Sequence, residues 1–141
     1  MALDTGPGTE TLHTILLEDV ANSAKTLITG VQHHIYTVLS VSFYFVGAPT
    51  GEDFTLFLTG YDSAAGTSAQ TINLTYIRDP AVRTTFIWND KFSFNGFEPS
   101  SNSQAARAAQ AGSAAQSLNV LSTNSSYIAD ITCTFIDQNN A

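Results

Sequence analysis

Residues 35–46, with the sequence IYTVLSVSFYFV, alternate with a period of two and so decide the fold class. Successive side chains of a strand point to opposite faces of a sheet. The odd positions, from Ile35 to Phe45, are the more apolar and predict the face that is turned to the core. The even positions mix Tyr36 and Tyr44 with serine and valine. They predict a face that water or a neighbouring subunit covers.

Eight further segments have the same character and predict strands. They are residues 12–20, 25–29, 54–59, 71–77, 84–88, 91–94, 118–121 and 127–136. Glycine, proline and asparagine mark turns between them, for example at 47–51 and 95–96. About nine short strands with this punctuation predict an all-β fold, either an antiparallel sandwich or a barrel.

A chain of 141 residues is long enough for one domain with a core of its own. Residues 1–12 contain Gly-Pro-Gly and predict an extended amino-terminal arm, so the single β-domain spans 13–141. Residues 101–116 are rich in alanine, serine and glutamine and have no large apolar side chain. They predict either a surface loop or short helix, or an arm that becomes ordered against another subunit.

The composition argues against two kinds of partner. The formal net charge is −7, with five lysine and arginine residues, whereas binding to a nucleic-acid backbone requires clustered cations. The run at 35–46 has about twelve residues, and about 20 are needed to cross a bilayer. The amino terminus also lacks the basic and apolar segments of a secretory signal. We therefore expect synthesis in a cytoplasm, without contact to nucleic acid or membrane.

Residue types that carry catalysis or bind metals are present but poorly placed for it. His33 and His34 are adjacent and would point to opposite faces of a strand, and His13 is isolated, so no zinc site is expected. The acidic pairs at 18–19 and 52–53 lack the spacing of a calcium loop. Neither Gly-x-Ser-x-Gly nor a glycine-rich phosphate loop occurs. The sequence predicts a non-enzymatic protein without a cofactor.

The single cysteine, Cys133, lies in the last predicted strand. Ile131 and Phe135 share its face, while threonines alternate on the other face. With no second cysteine it cannot form an internal disulfide. We expect it to be a small buried apolar residue.

Residues 86–97, FIWNDKFSFNGF, hold the only tryptophan. A two-residue turn at 89–90 would pair Trp88 with Lys91 and leave Phe86 and Trp88 on the face opposite the core. A three-residue loop would instead place Phe86, Trp88, Phe92 and Phe94 together in the core. Such a loop usually requires glycine at the position of Lys91, so the first arrangement is favoured. It predicts an outward Trp88 that contacts a neighbour.

Three stretches of the sequence carry a resemblance to a known family: residues 26–30 (TLITG), 34–47 (HIYTVLSVSFYFVG) and 86–99 (FIWNDKFSFNGFEP). In an acidic, lysine-poor chain of this length, they resemble the small β-sandwich virion proteins of tailed bacteriophages. Among these, the capsid decoration or cement proteins are nearest in size and texture. The resemblance covers most of the chain but contains no invariant motif.

This resemblance implies a jelly-roll-like β-sandwich, often a homotrimer, that binds the major capsid protein on the outside of the shell and stabilises it without catalysis. It implies contacts from the amino-terminal arm, the alanine-rich segment and the aromatic hairpin. The tyrosines of the predicted strand at 35–46 are added to these three regions. The residues expected at interfaces are therefore Leu3, Tyr36, Tyr44, Phe86, Trp88, Lys91, Phe97 and Arg107.

Two other classes of function remain open on sequence grounds. One is a phage tail, baseplate or fibre module that binds host glycans by stacking sugars on Tyr36, Tyr44, Tyr61 and Trp88. The other is a small hydrolase that uses carboxylates such as those of Asp62, Asp90 and Glu98, whose separation the fold alone decides.

Overall fold

The segments that alternate in sequence form strands in the computed structural model, which describes residues 8–47, 53–61, 69–98, 105, 114–123 and 128–140. The strands are β1 (Glu10–Val20), β2 (Lys25–Thr29), β3 (His34–Gly47), β4 (Asp53–Tyr61), β5 (Ala69–Arg78), β6 (Thr85–Trp88), β7 (Phe92–Asn95), β8 (Phe97–Glu98), β9 (Ala114–Ala115), β10 (Ser117–Ser122) and β11 (Ile128–Asn139). All nine segments predicted from periodicity overlap one of them.

The strands form two antiparallel sheets and one short ladder. The five-stranded sheet has the order β1, β11, β3 and β6, with β7 also paired to β3, and the four-stranded sheet has the order β2, β10, β4 and β5. The paired strands are nested in sequence order, as in one long hairpin that is folded over on itself. The pairs are β1–β11, β2–β10, β3–β6/β7 and β4–β5. This nesting is the topology of a jelly roll. The predicted jelly-roll-like sandwich is confirmed.

Strand β3 changes the face that it turns to the core partway along its length. Its buried aliphatic and aromatic side chains are Tyr36, Val38, Val41, Phe43 and Phe45. Thr134 of β11 pairs with Ser40, but the next residue, Phe135, pairs with Val38, so Leu39 is the extra residue of a β-bulge. A bulge reverses the parity of a strand. The prediction that odd positions face the core is therefore confirmed after the bulge and wrong before it.

The core between the sheets is centred on three phenylalanines. Phe43 and Phe45 of one sheet meet Phe54 of the other edge to face, with centroid distances of 5.5 and 5.9 Å. Such contacts contribute about 0.5–1.5 kcal/mol beyond burial of the rings. Phe43 and Phe54 are fully buried and Phe45 is 1% exposed. These rings hold the two sheets together.

The predicted hairpin at 86–97 is wrong, because β6 and β7 do not pair with each other. Both pair antiparallel with β3, one after the other: Trp88 lies opposite Val41, and Phe92 lies opposite Val38. They are two halves of one edge strand, interrupted at 89–91. The interruption lies across from the bulge at Leu39, so both strands lose their regular ladder at the same level.

Two glycines allow three backbone segments to meet at one end of the sandwich. The Gly30 amide donates to the Gln116 carbonyl, the Gln116 amide to the Gly96 carbonyl and the Gly96 amide to the His34 carbonyl, each at 2.8 Å. A Cβ at Gly30 or Gly96 would overlap backbone atoms of the facing segment. Glycine is therefore required for this approach of one backbone to another.

Strand β1 begins inside the predicted arm. The Gly8 amide donates to the Asn139 carbonyl, and the Asn139 amide donates to the Thr9 carbonyl, so the ladder with β11 extends to residue 8. Residues 1–7 lie outside the described part of the chain. Within the alanine-rich segment at 101–116, the structure describes strand β9, which pairs with β8. Over the described residues, no helix is both long enough and apolar enough to cross a membrane.

Candidate functional site

The outer face of the five-stranded sheet is the surface with the most distinctive chemistry. We call its three central rows of side chains the hydroxyl face. One row is Leu12, Ile136, Thr37 and Ser93; the next is Thr14, Thr134 and Ser40; the third is Leu16, Thr132, Ser42 and Ile87. None of these eleven side chains is ionisable. In an acidic chain with a net charge of −7, the hydroxyl face is uncharged.

The hydroxyl face combines small polar groups at its centre with exposed aliphatic residues at its margins. Leu16 is 72% exposed, Leu12 68% and Ile87 58%. The hydroxyls bond across strands: Thr37 Oγ1 lies 3.0 Å from Ser93 Oγ, and Thr14 Oγ1 lies 3.4 Å from Thr134 Oγ1. Because these groups partly satisfy one another, covering the hydroxyl face costs less desolvation than covering charged groups.

The sequence predicted β1 and β11 as strands but did not single out this face. The signal was present in part, since Leu12, Thr14 and Leu16 alternate with His13 and Ile15. Both sets are about equally apolar, so alternation alone could not assign the inner one. The register with β11 assigns it, because Ile15 pairs with the fully buried Cys133.

Trp88 does not point away from the core as predicted. Its ring packs against the margin of the core and meets Phe92 edge to face at 6.4 Å. Its Nε1–H donates to the Asp90 carbonyl at 2.9 Å. Phe86 lies on the same side, next to Phe43, and is 38% exposed. The prediction was wrong because it assumed a hairpin, whereas pairing with β3 fixes both rings on the core side.

Of the other predicted interface residues, some are accessible and one is buried. Tyr36 is 2% exposed, because it precedes the bulge, and its hydroxyl accepts the Val31 amide hydrogen at 3.0 Å. Burial raises the pKa of Tyr36, and the nearby charge of Asp137 raises it further. Tyr44 is 41% exposed on the outer side of β3, and Lys91 is exposed. A surface role for Tyr36 is excluded.

The remaining interface candidates are less informative. Phe97 is half-buried in the short strand β8. Leu3 and Arg107 lie outside the described residues. The aromatic platform expected for a glycan-binding module is not assembled as predicted, since Tyr36 is buried and Trp88 is half-buried, and the Tyr61 side chain is outside the described part.

Cys133 is buried as predicted. Its side chain is fully inaccessible, in the core cluster with Ile131 and Phe135. Burial raises the pKa of the Cys133 thiol to about 12. A thiol with so little thiolate is a poor nucleophile and a poor metal ligand.

The acidic and histidine candidates do not form a metal centre in the part of the chain that the structure describes. No group of three or more His, Cys, Asp or Glu side chains there could hold an ion. Asp53 accepts a hydrogen bond from the Tyr76 hydroxyl, and this bond raises the pKa of Tyr76. Asp90 is exposed, whereas Asp62 and the Glu98 side chain are outside the described residues.

Comparison with known proteins gives little to add to this geometry. No family model matches the chain, and no curated protein matches it. A solved structure of a Bacillus endospore appendage, described as one of a novel family of disulfide-linked pili, is similar with a TM-score of 0.43 and 14% identity. The match covers 100% of this chain and 97% of that chain. What this chain does is therefore inferred from its own surfaces.

Proposed function

We propose that the protein is a non-enzymatic structural subunit of a tailed-phage virion, which lies on the outside of the capsid and stabilises it. The observation that carries the proposal is the hydroxyl face, an uncharged sheet surface with exposed leucine and isoleucine at its margins. The core of a protein interface is depleted of charged residues in the same way. The sequence resemblance to decoration proteins supports the choice of assembly.

The outer surface of this sheet is large enough for specific attachment. The twelve residues of β11 span about 40 Å at 3.4 Å per residue, and four strands side by side span about 19 Å. The product is about 750 Å², close to the ~800 Å² per partner of a standard interface, so an interface of that size has the hydroxyl face at its centre and also covers the flanking rows with Glu10 and Asp130. In a homotrimer three such contacts are linked, and linked contacts hold far more strongly than a single contact does.

The occupant that we assign to the hydroxyl face is the major capsid protein. When one sheet of the jelly roll contacts the shell, the other sheet faces solvent or contacts other copies of the protein. A homotrimer on the capsid surface is therefore compatible with this assignment. The protein is then made in the host cytoplasm and retained on the virion. It requires no cofactor and no contact with nucleic acid.

Thermal rupture of the particles tests this role. A ligand that binds the intact shell and not its separated subunits stabilises the shell by mass action. Virions stripped of the protein are expected to release DNA at a lower temperature than complete virions, and added protein should restore the difference. DNA release is followed with an intercalating dye. Identical release temperatures with and without the protein would reject the proposal.

Two variants test whether the hydroxyl face is the attachment surface. Leu16→Glu together with Ile87→Glu places two charges on it and is expected to abolish attachment. Ile72→Glu is the control for one such charge elsewhere, since Ile72 is 64% exposed but lies on β5 of the other sheet. Normal attachment of the double variant, or equal loss in the control, would assign another surface.

A further inference from the structure

A pocket opens at one end of the five-stranded sheet, on the side that faces the core. Its volume is 490 Å³, within the roughly 300–1,000 Å³ of small-molecule sites. Its lining includes Thr11, His13, His34 and Asp137. Thr11 pairs with Asp137 and His13 with Phe135, so the apolar inner face of the sheet becomes polar here. Most of the lining lies on the opposite side of the sheet from the hydroxyl face, and the two share Leu12 at the edge strand β1.

The polar groups of the pocket are arranged in two pairs. His34 Nδ1 lies 2.7 Å from Asp137 Oδ1, and both side chains are about four-fifths buried. With the hydrogen on Nδ1 donated to the carboxylate, Nε2 of a neutral His34 is an acceptor. His13 Nε2 lies 2.9 Å from the Thr11 hydroxyl. The pocket therefore offers acceptors from the His34 imidazole and the Asp137 carboxylate, and the Thr11 hydroxyl, which already shares one hydrogen bond with His13.

One wall of the pocket is a flat ring. The His13 imidazole stacks on Phe135 with centroids 5.2 Å apart and planes inclined by 24°. Phe135 is 6% exposed and fixes one side of the imidazole, so the other side is available to a ligand. Leu12 adds an apolar surface next to it. A flat ring beside hydrogen-bonding groups suits a ligand that has an apolar face and polar edges.

Charge narrows the class of ligand. An anion would meet the Asp137 carboxylate inside the pocket and the net charge of −7 over the whole chain. A metal ion would need a cluster of ligating groups that the described residues do not provide. A neutral ligand with several hydroxyl groups and a C–H face avoids both difficulties. We propose that the pocket binds one sugar ring of a neutral glycan.

Ligand-observed NMR with a panel of neutral hexoses and N-acetylhexosamines tests this site. At least one sugar is expected to bind, with a dissociation constant of about 1 mM. Asp137→Asn and His13→Ala should each weaken binding at least tenfold. Asp90→Asn makes the same chemical change at an exposed carboxylate outside the pocket and should leave binding unchanged.

Absence of binding to every sugar in the panel would overturn the proposal, as would binding that survives both pocket substitutions. Preferential binding of inorganic phosphate or acetate would identify an anion site instead. If Asp137→Asn unfolds, Thr11→Val keeps the shape of the side chain and removes its hydroxyl, and it must weaken sugar binding. A purely structural His34–Asp137 pair would lower the melting temperature on substitution without any sugar binding in the native protein.

The result of the sugar-binding test does not depend on the proposed capsid role. The pocket variants leave the hydroxyl face intact and are expected to attach to virions normally. Leu16→Glu with Ile87→Glu should fail to attach yet retain the sugar.

Discussion

Trp88 lies directly opposite Val41 across β6 and β3, so its indole leaves the sheet on the same side as a fully buried valine. This pairing, together with the contact to Phe92, makes the tryptophan part of the rim of the core. The chain contains no other tryptophan. All tryptophan fluorescence of the protein therefore comes from this rim.

We expect the emission of Trp88 to be blue-shifted in the folded monomer and to move to the red on unfolding in urea. The reason is that the packed indole is partly shielded from water and donates to the Asp90 carbonyl. Dilution through the range where any oligomer dissociates should not change the emission. A red shift on dilution, with circular dichroism unchanged, would show that a second subunit shields the ring.

Gly96→Ala is expected to lower the free energy of unfolding by about 3 kcal/mol or more, since the new methyl group overlaps the backbone of Val31 and one of the two segments must move. Gly60→Ala is the control, because the neighbouring atoms belong to the Gln116 side chain, which can move if it gives up a hydrogen bond to Asn95. Its cost should be about 1 kcal/mol. Urea unfolding measures both, and equal costs would contradict the close backbone approach.

The buried thiol makes stability depend on alkaline pH. The unfolded chain ionises Cys133 near its ordinary pKa of 9.0, whereas the folded chain holds the proton until about 12. Above pH 9 the unfolded state therefore binds fewer protons, and stability falls as pH rises, by up to about 1.4 kcal/mol per unit. The Cys133→Ala variant has no thiol to ionise, so its stability does not fall with pH for this reason.

The quantity to measure is the free energy of unfolding of the wild type minus that of Cys133→Ala, at pH 8 and pH 10. It should be about 1.4 kcal/mol smaller at pH 10, since other titrating groups cancel in the difference. A difference that does not change with pH would mean that the thiol ionises equally in both states.

Leu16→Glu is expected to change the free energy of unfolding by no more than about 0.5 kcal/mol, because the side chain is 72% exposed in the isolated subunit. Ile131→Glu, one strand away on the inner face, should prevent folding, since Ile131 is 2% exposed. Thermal unfolding followed by circular dichroism distinguishes them. Strong destabilisation by Leu16→Glu would show that Leu16 is covered in the folded subunit.

The strands could be predicted from the sequence because period-two alternation is a local property, and β2 matches its predicted bounds of 25–29. The bulge at Leu39 could not, since IYTVLSVSFYFV is apolar at both parities and only pairing with β11 reveals the extra residue. The prediction that Trp88 points away from the core was wrong for a similar reason. Local turn rules favoured a hairpin, and a longer-range pairing with β3 prevailed.

The candidate surfaces were harder to predict than the fold. Leu12 and Leu16 look like core residues by type, and their exposure follows from the register of β1 with β11. His13 and His34 are 21 positions apart in the numbering and line one pocket because β1 and β3 flank the same strand. Neither relationship has a local signature.

The position of β11 has a consequence for biosynthesis. It follows every other described strand in the sequence, yet it lies between β1 and β3, and within the described residues β1 pairs with no other strand. During synthesis, β1 therefore stays unpaired until β11 has left the ribosome, and Ile15, Leu17 and Val20, which pack in or against the core of the folded subunit, are accessible to chaperones until then. Contacts between such distant segments make folding late and slow. The nascent chain, rather than the finished subunit, is then the state most exposed to aggregation.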